Sequence, residues 1–313
     1  MAAEAPLTTV HVDRWRTRLA LVVRSPETVH PRPLQAALVS EVDRLELLAS
    51  RFRDDSEISD VNRNAGHWCD TSWDFVEVLS ASLDAAGTTD GLVSPLVGSH
   101  VDSAGYRTWR DGTPPADPVD TGVVPDWRDI AISPAGGHAR VRIPAGSQLD
   151  LGAVAKGWLA DRLAGLVQRI CRVDVIADMG GDLSIRTTSQ PWVVAVEPGA
   201  HGETQNLYVE QAGLATSGTT HRRWRTTTGG TAHHIIDPRT GRPAESVWSS
   251  ASVLAADAAA ANTAATAAIV LGDEAPTWLA RQGLDALLSG PDGQQLVGRW
   301  PIPGTDDNQE VAA

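Results

Sequence analysis

Apolar positions recur along this chain with two periods, and the switching between them predicts most of its elements. Leu34, Leu38, Val42, Leu45, Leu48 and Phe52 are spaced close to 3.6 residues apart, which predicts an amphipathic helix over 34–53. Asp54-Asp55-Ser56 breaks that pattern. A second helix is expected over 72–86, with Ser72 as its start and Gly87 near its end. A third is expected over 154–170, after the turn Asp150-Leu-Gly-Ala153. A fourth, alanine-rich, covers 257–271, with Gly272 placed to stop it. The two-residue period predicts strands over 15–24, 139–143, 173–177 and 183–187, the last two joined by a Gly180-Gly181 turn. Further short strands are expected over 192–196, 206–210, 213–216 and 233–236, and one ends at Val253-Leu254. Pro114, Pro115, Pro118 and Pro125 make 111–128 an irregular surface excursion.

This order mixes helices and strands without regular strand–helix–strand alternation, so the expected class is α+β with mixed or antiparallel sheets flanked by helices. No repeat of fixed period interrupts it. One domain over 12–302 is expected, preceded by an arm over 1–11 and followed by a polar, frayed tail over 303–313.

Composition narrows the function. With 42% hydrophobic and 21% charged residues among 313, the chain can bury a core and is not a disordered protein. A net charge of −13 argues against general nucleic-acid binding, which needs a basic footprint. The first apolar run, Leu19-Ala-Leu-Val-Val23, is too short for a signal-peptide core and follows several arginines. No run approaches the about 20 apolar residues that span a bilayer, so no membrane anchor is expected. Cys69 and Cys171 lack metal or redox spacing and read as reduced thiols. These features together point to the cytoplasm. Lys156 is the one lysine among 26 basic residues, all the others being arginine. An ammonium is a compact point charge where guanidinium is a planar fork, so a lone lysine can mark a place arginine cannot serve.

Four segments carry polar residues that patterning leaves unexplained. Asp150-Leu-Gly-Ala-Val-Ala-Lys-Gly-Trp-Leu-Ala-Asp161 puts small residues and Lys156 at a helix start, where anions are favoured. An ordinary capped helix with a solvated lysine reads equally well there. Asp178-Met-Gly-Gly-Asp182 permits close backbone approach to a ligand, although a plain hairpin turn would look the same. His233-His234 invites zinc, but neighbours on a strand point to opposite faces, which makes one shared metal awkward. Asn262 and Thr266 are one turn apart on a helix and offer oxygens suited to a hard cation, or are small polar residues tolerated in a helix.

In order, Ser56-Glu-Ile-Ser-Asp-Val-Asn62, the 150–161 block, Gly180-Gly-Asp182, the 192–198 strand, Ala215-Thr-Ser-Gly218, His234-Ile-Ile-Asp-Pro238 with Thr240-Gly241, and the stretch 253–272 resemble the ApbE family, the FAD:protein FMN transferases. The resemblance runs from about residue 12 to residue 300. It implies an enzyme that binds FAD with Mg²⁺, cleaves the pyrophosphate, and transfers FMN to a threonine or serine hydroxyl of a target flavoprotein, releasing AMP. By position, Phe52, Leu92, Val93, Ser94, Asp150, Lys156, Gly180, Gly181 and Ile236 would contact FAD. The Ala153 carbonyl and the side chains of Asn262 and Thr266 would hold the metal. His234 would assist the acceptor hydroxyl, with Lys156 and Asp182 completing the catalytic set.

The chain departs from the family pattern at several points. Asn262 stands where the family usually has aspartate, which removes one negative charge from the metal site. Gly91-Leu-Val-Ser94 replaces a stretch ending in aspartate, and Asp178 replaces an asparagine. Val12-Asp-Arg-Trp15 is the nearest match to the family's early Met-Gly-Thr segment. An FAD pyrophosphatase and a non-catalytic FAD-binding protein are the rival readings.

Overall fold

The computed structural model describes residues 5–25, 27, 29–112, 122–197, 204–227 and 229–301. The chain begins with a hairpin of β1 (Leu7–Arg14) and β2 (Thr17–Arg24), then α1 (Pro31–Ala49), α2 (Glu57–Arg63), β3 (Cys69–Thr71), α3 (Trp73–Thr88), α4 (Gly98–Ser103) and α5 (Tyr106–Arg110). Next come β4 (Ala131–Ala135), β5 (His138–Arg142), α6 (Ala155–Cys171), β6 (Asp174–Asp178), β7 (Asp182–Arg186), β8 (Trp192–Val196), β9 (Gln205–Val209) and β10 (Ala212–Gly218). The short strands β11 (Arg223–Arg225), β12 (Thr231–His233), β13 (Ile236–Asp237) and β14 (Arg242–Pro243) follow. The chain closes with β15 (Ser250–Ala255), α7 (Ala258–Leu271), α8 (Ala275–Arg281), β16 (Asp285–Gly290) and β17 (Gly293–Val297).

Among the described residues, eight strands form one sheet in the order β1-β2-β6-β7-β10-β15-β16-β17. Each neighbouring pair in it is antiparallel. Alternation along each strand divides its side chains between two cores. On β6, Val175 and Ala177 pack with α1, α3 and α6, while Ile176 faces the β8–β9 ribbon. On β16, Leu288 joins α7 and α8 while Leu287 faces the ribbon. The architecture is therefore a ribbon, a sheet and a helical layer, an α+β arrangement as the patterning implied. Among the described residues no helix is long and apolar enough to cross a membrane.

The helices form where their apolar stripes predict. Leu34, Leu38, Val42, Leu45 and Leu48 are all buried on α1. Ser72 accepts the Phe75 N–H as the cap of α3. α6 and α7 come unusually close because Gly157 has no side chain: a Cβ there would lie 2.6 Å from the Ala258 carbonyl oxygen. The Asp161 carboxylate, one turn along α6, accepts the Ala258 and Ala259 N–H groups at 3.0 Å each and so caps α7 from outside.

Several expectations need correction. Residues 7–11, assigned to an arm, belong to β1 and pair with β2. The strand expected from 15 begins at Thr17, because Trp15 and Arg16 form the hairpin turn with φ of 55° and 60°. The helix expected to reach 53 stops at Ala49, so Phe52 lies beyond it. Ser56 Oγ bonds the carbonyls of Ser50 and Arg53 and pulls the chain into the turn before α2. The strand expected over 233–236 is divided between β12 and β13. Residues 113–121 of the proline-rich excursion, the last residue of the 192–198 stretch and the tail over 303–313 lie outside the described residues.

Candidate active site

Three elements meet around Lys156: the first turn of α6, the β6–β7 turn, and the middle of α7. Lys156 Nζ lies 2.6 Å from Asp182 Oδ2 and 3.4 Å from the Met179 carbonyl oxygen. Asp182 is almost wholly buried at the head of β7, and the lysine remains 17% exposed. Asn262 Nδ2 donates to the same Asp182 oxygen at 2.7 Å. Thr266 Oγ1 donates to Asn262 Oδ1 at 3.3 Å and lies 3.0 Å from Ser217 Oγ on β10. Lys156, Asp182, Asn262 and Thr266, four residues picked out by sequence, are thus joined in one hydrogen-bonded chain.

The Gly180-Gly181 turn brings this chain close to the first hairpin. Both glycines have positive φ, 75° and 94°, and a Cβ on Gly180 would stand 2.5 Å from Thr17 Cγ2. Asp178 Oδ1 accepts the Gly181 N–H at 2.8 Å. Burial pushes the Asp178 carboxyl up from its ordinary value, against the lowering effect of the Gly181 and Gly180 N–H groups.

The oxygens here suit a hard cation. Asn262 Oδ1 and Thr266 Oγ1 are 3.3 Å apart, near the roughly 3 Å edge of an octahedron built on about 2.1 Å bonds. The third expected ligand is the carbonyl of Ala153, just before α6. Ala155 N–H bonds the Leu151 carbonyl at 2.8 Å and Trp158 N–H the Val154 carbonyl at 2.9 Å. Among the described residues, the carbonyls of Gly152 and Ala153 between them receive no such bond. Ala153 also packs in a small apolar cluster with Leu92, Val93, Val154 and Ala267 of α7. The donor set therefore fits Mg²⁺ in its chemistry, with neutral oxygens throughout.

A second group lies around Phe52. Its ring is 6.0 Å from Tyr106, which stacks on Trp109 at 5.6 Å and approaches Trp224 at 5.8 Å. The Arg110 guanidinium sits 3.7 Å from the Phe52 ring centre. Ile236 is buried against Trp224, and the His234 ring lies 6.3 Å from Tyr106. His234 Nδ1 is buried without a hydrogen-bond partner. Burial holds the His234 pKa well below the ordinary imidazole value, and the charges of Arg222, His233 and Lys156 push the same way. The ring is therefore neutral near pH 7, and the Lys156 charge reaches it. His233, by contrast, is engaged with the Ala244 carbonyl at 3.0 Å.

The remaining expected contacts are Ser94 and Asp150. Ser94 is buried and its Oγ accepts the Leu96 N–H at 3.2 Å. Asp150 receives the Gly152 N–H at 2.7 Å and pairs with Arg51 Nε at 2.8 Å, which ties it to the residue before Phe52. The Asn62 side chain grips both backbone groups of Leu149, at 2.7 and 3.1 Å, and so fixes the approach to Asp150. Sequence reasoning missed Arg51, Tyr106, Trp109 and Trp224. Tyr106 and Trp109 share an i, i+3 face on α5, the one local signal that was available.

Comparison with known proteins identifies the family and the fold. The ApbE family model matches residues 8–288. A Treponema pallidum protein named FAD:protein FMN transferase is 31% identical over 271 residues, covering 79% of this chain and 74% of the relative. A Salmonella typhimurium protein of the same name is 28% identical over 290 residues, 86% of this chain and 80% of the relative. The crystal structure of the ApbE protein from Thermotoga maritima shares the fold with a TM-score of 0.82, at 23% identity over 93% of this chain and 97% of that one. The apo structure of the Pseudomonas stutzeri flavinyl transferase ApbE gives a TM-score of 0.80 at 17% identity, over 95% and 96% of the two chains. With its match running from β1 into β16 and its buried polar chain assembled from the matched segments, this chain belongs to the ApbE family.

Proposed function

We propose that this protein is an FAD:protein FMN transferase that, with Mg²⁺, moves FMN from FAD to a threonine or serine hydroxyl of a target flavoprotein. The observation that carries the reading is Lys156, held 2.6 Å from Asp182 beside the Asn262 and Thr266 oxygens. Support also comes from relatives that bear this activity in their names.

In this reading the acceptor oxygen attacks the phosphorus of FAD that carries the flavin. A new P–O ester bond forms, the anhydride P–O bond breaks, and AMP leaves with the second phosphate. The hydroxyl proton passes to neutral His234, whose depressed pKa keeps the imidazole free to accept it. Lys156 offsets charge gathering on the phosphates, and Asp182 holds the ammonium in place. Ala153 C=O, Asn262 Oδ1 and Thr266 Oγ1 would hold Mg²⁺, which when bound neutralises pyrophosphate charge. Phe52, Leu92, Val93, Ser94, Asp150, Gly180, Gly181 and Ile236 line the dinucleotide. The cytoplasm is the proposed site of action, to be checked by fractionating cells that express the tagged protein.

Incubation with FAD, Mg²⁺ and a candidate flavoprotein domain tests this reading. An FMN-sized gain in the target's intact mass with AMP release is the expected result. AMP without adduct would make the protein an FAD pyrophosphatase. Flavin binding with neither product would make it an FAD-binding protein.

A further inference from the structure

The oxygens that fit a cation carry no charge of their own. Asn262, Thr266, Ser217 and the Ala153 carbonyl are neutral. The one carboxylate bonded to this set, Asp182, is matched by Lys156 at 2.6 Å. Asp178 is turned away onto the Gly181 N–H. The donor oxygens, with the one carboxylate bonded to them and its lysine, therefore carry no net charge. Bringing a divalent ion into a half-buried, uncharged set of oxygens costs hydration that nothing in the free protein returns.

From this balance we infer that the protein binds its divalent cation only together with FAD, the pyrophosphate supplying the two negative charges that the protein withholds. The inference rests on the proposed transfer reaction. It assigns Lys156 and Asp182 a second role: as a closed pair they keep a net charge away from the donor oxygens. When the pyrophosphate arrives, it offers the ammonium another anionic partner beside Asp182. Coupling of this kind is reciprocal, so the cation raises FAD affinity by the same factor that FAD raises cation affinity.

Mn²⁺ serves as the probe, because free Mn²⁺ is counted directly by its paramagnetic resonance. It is titrated into the full-length protein alone, into the protein saturated with FAD, and into FAD alone as the blank. Flavin fluorescence in the same samples reports FAD binding independently. The expected result is Mn²⁺ affinity at least about tenfold higher with FAD present, with an equal rise in FAD affinity when Mn²⁺ is added. Asn262→Asp, which puts a charge into the donor set, is expected to bind Mn²⁺ without FAD and to lose most of the coupling. Thr266→Ala is expected to weaken Mn²⁺ binding in the FAD complex while FAD alone still binds. Equal Mn²⁺ midpoints in wild type with and without FAD, while fluorescence shows flavin bound, overturn this inference alone. Flavin that fails to bind under either condition overturns the transfer reading and this inference with it.

Discussion

Removing Lys156 isolates a buried carboxylate, and the size of that effect can be worked from the structure. The ammonium and the Asp182 oxygen are 2.6 Å apart, with 17% and 3% of the side chains exposed. At an effective dielectric near 20, two unit charges at that distance attract by about 6 kcal/mol. Most of this is offset by the hydration both ions give up, and the lysine's partial exposure screens it further. What remains is the asymmetry between the pair and the orphan. Lys156→Met leaves Asp182 with Asn262 as its one polar side-chain donor and is expected to cost about 3 kcal/mol. Asp182→Asn leaves an ammonium that can still turn toward solvent, and is expected to cost about 1–2 kcal/mol. The double variant removes both charges, so it is expected to be more stable than the sum of the singles by about 2 kcal/mol. Urea unfolding of the four proteins closes the cycle. Additivity within about 0.5 kcal/mol would refute the claim that the two groups act as one buried pair.

Other outcomes follow from the same geometry. Lys156→Arg keeps the charge but places a planar fork where a point charge sits against Asp182. FMN transfer is expected to fall at least about tenfold in kcat/KM, which costs about 1.4 kcal/mol of transition-state binding, and wild-type turnover would overturn this. Asp161→Ala strips two charge-assisted bonds from the N-terminus of α7, with an expected loss of about 2–4 kcal/mol in urea unfolding that an unchanged midpoint would contradict. For Asp174, burial alone would raise the pKa, but bonds from Ser189, Thr188, Thr187 and Arg24 outweigh it and bring it to about 2. A depressed carboxyl stabilises above its unfolded pKa, so Asp174→Asn is expected to cost about 2 kcal/mol at pH 7. That deficit should vanish as pH falls through about 2, and a pH-independent difference would refute the assignment. His234 is depressed as well, so its stabilising contribution is lost as pH falls below the unfolded value near 6.5. Unfolding of His234→Phe between pH 7 and 5 is expected to show a flatter acid limb, and a limb identical to wild type would exclude the buried neutral ring.

Local chemistry carried a good part of this protein into view. The stripe on α1, the Ser72 cap of α3, the alanine-rich α7 and the Gly180-Gly181 turn depend on neighbours within a few residues, so the sequence alone determined them. The same holds for Asn262 and Thr266, whose one-turn spacing sets their shared helix face. Elements with weak periodicity escaped notice. Most of β1 falls in the segment expected as an arm, and β16 and β17, which complete the sheet, carry no clear local signal because pairing of β16 with β15 and of β17 with β16 is what orders them. Long-range packing alone decided which groups meet. The salt bridge of Lys156 with Asp182 spans two elements, and Asn262 reaches the same carboxylate from a third, 80 residues along the chain. Phe52 stands outside its expected helix, where Ser56 turns the chain and Arg51 is bound to Asp150, with Tyr106 and Arg110 against its ring. Residue spacing encodes which side chains share a face, and residue identity makes the oxygens of Asn262 and Thr266 uncharged. Burial and ion pairing arise only when the faces close on one another, and those decide that Asp182 is paired and His234 neutral.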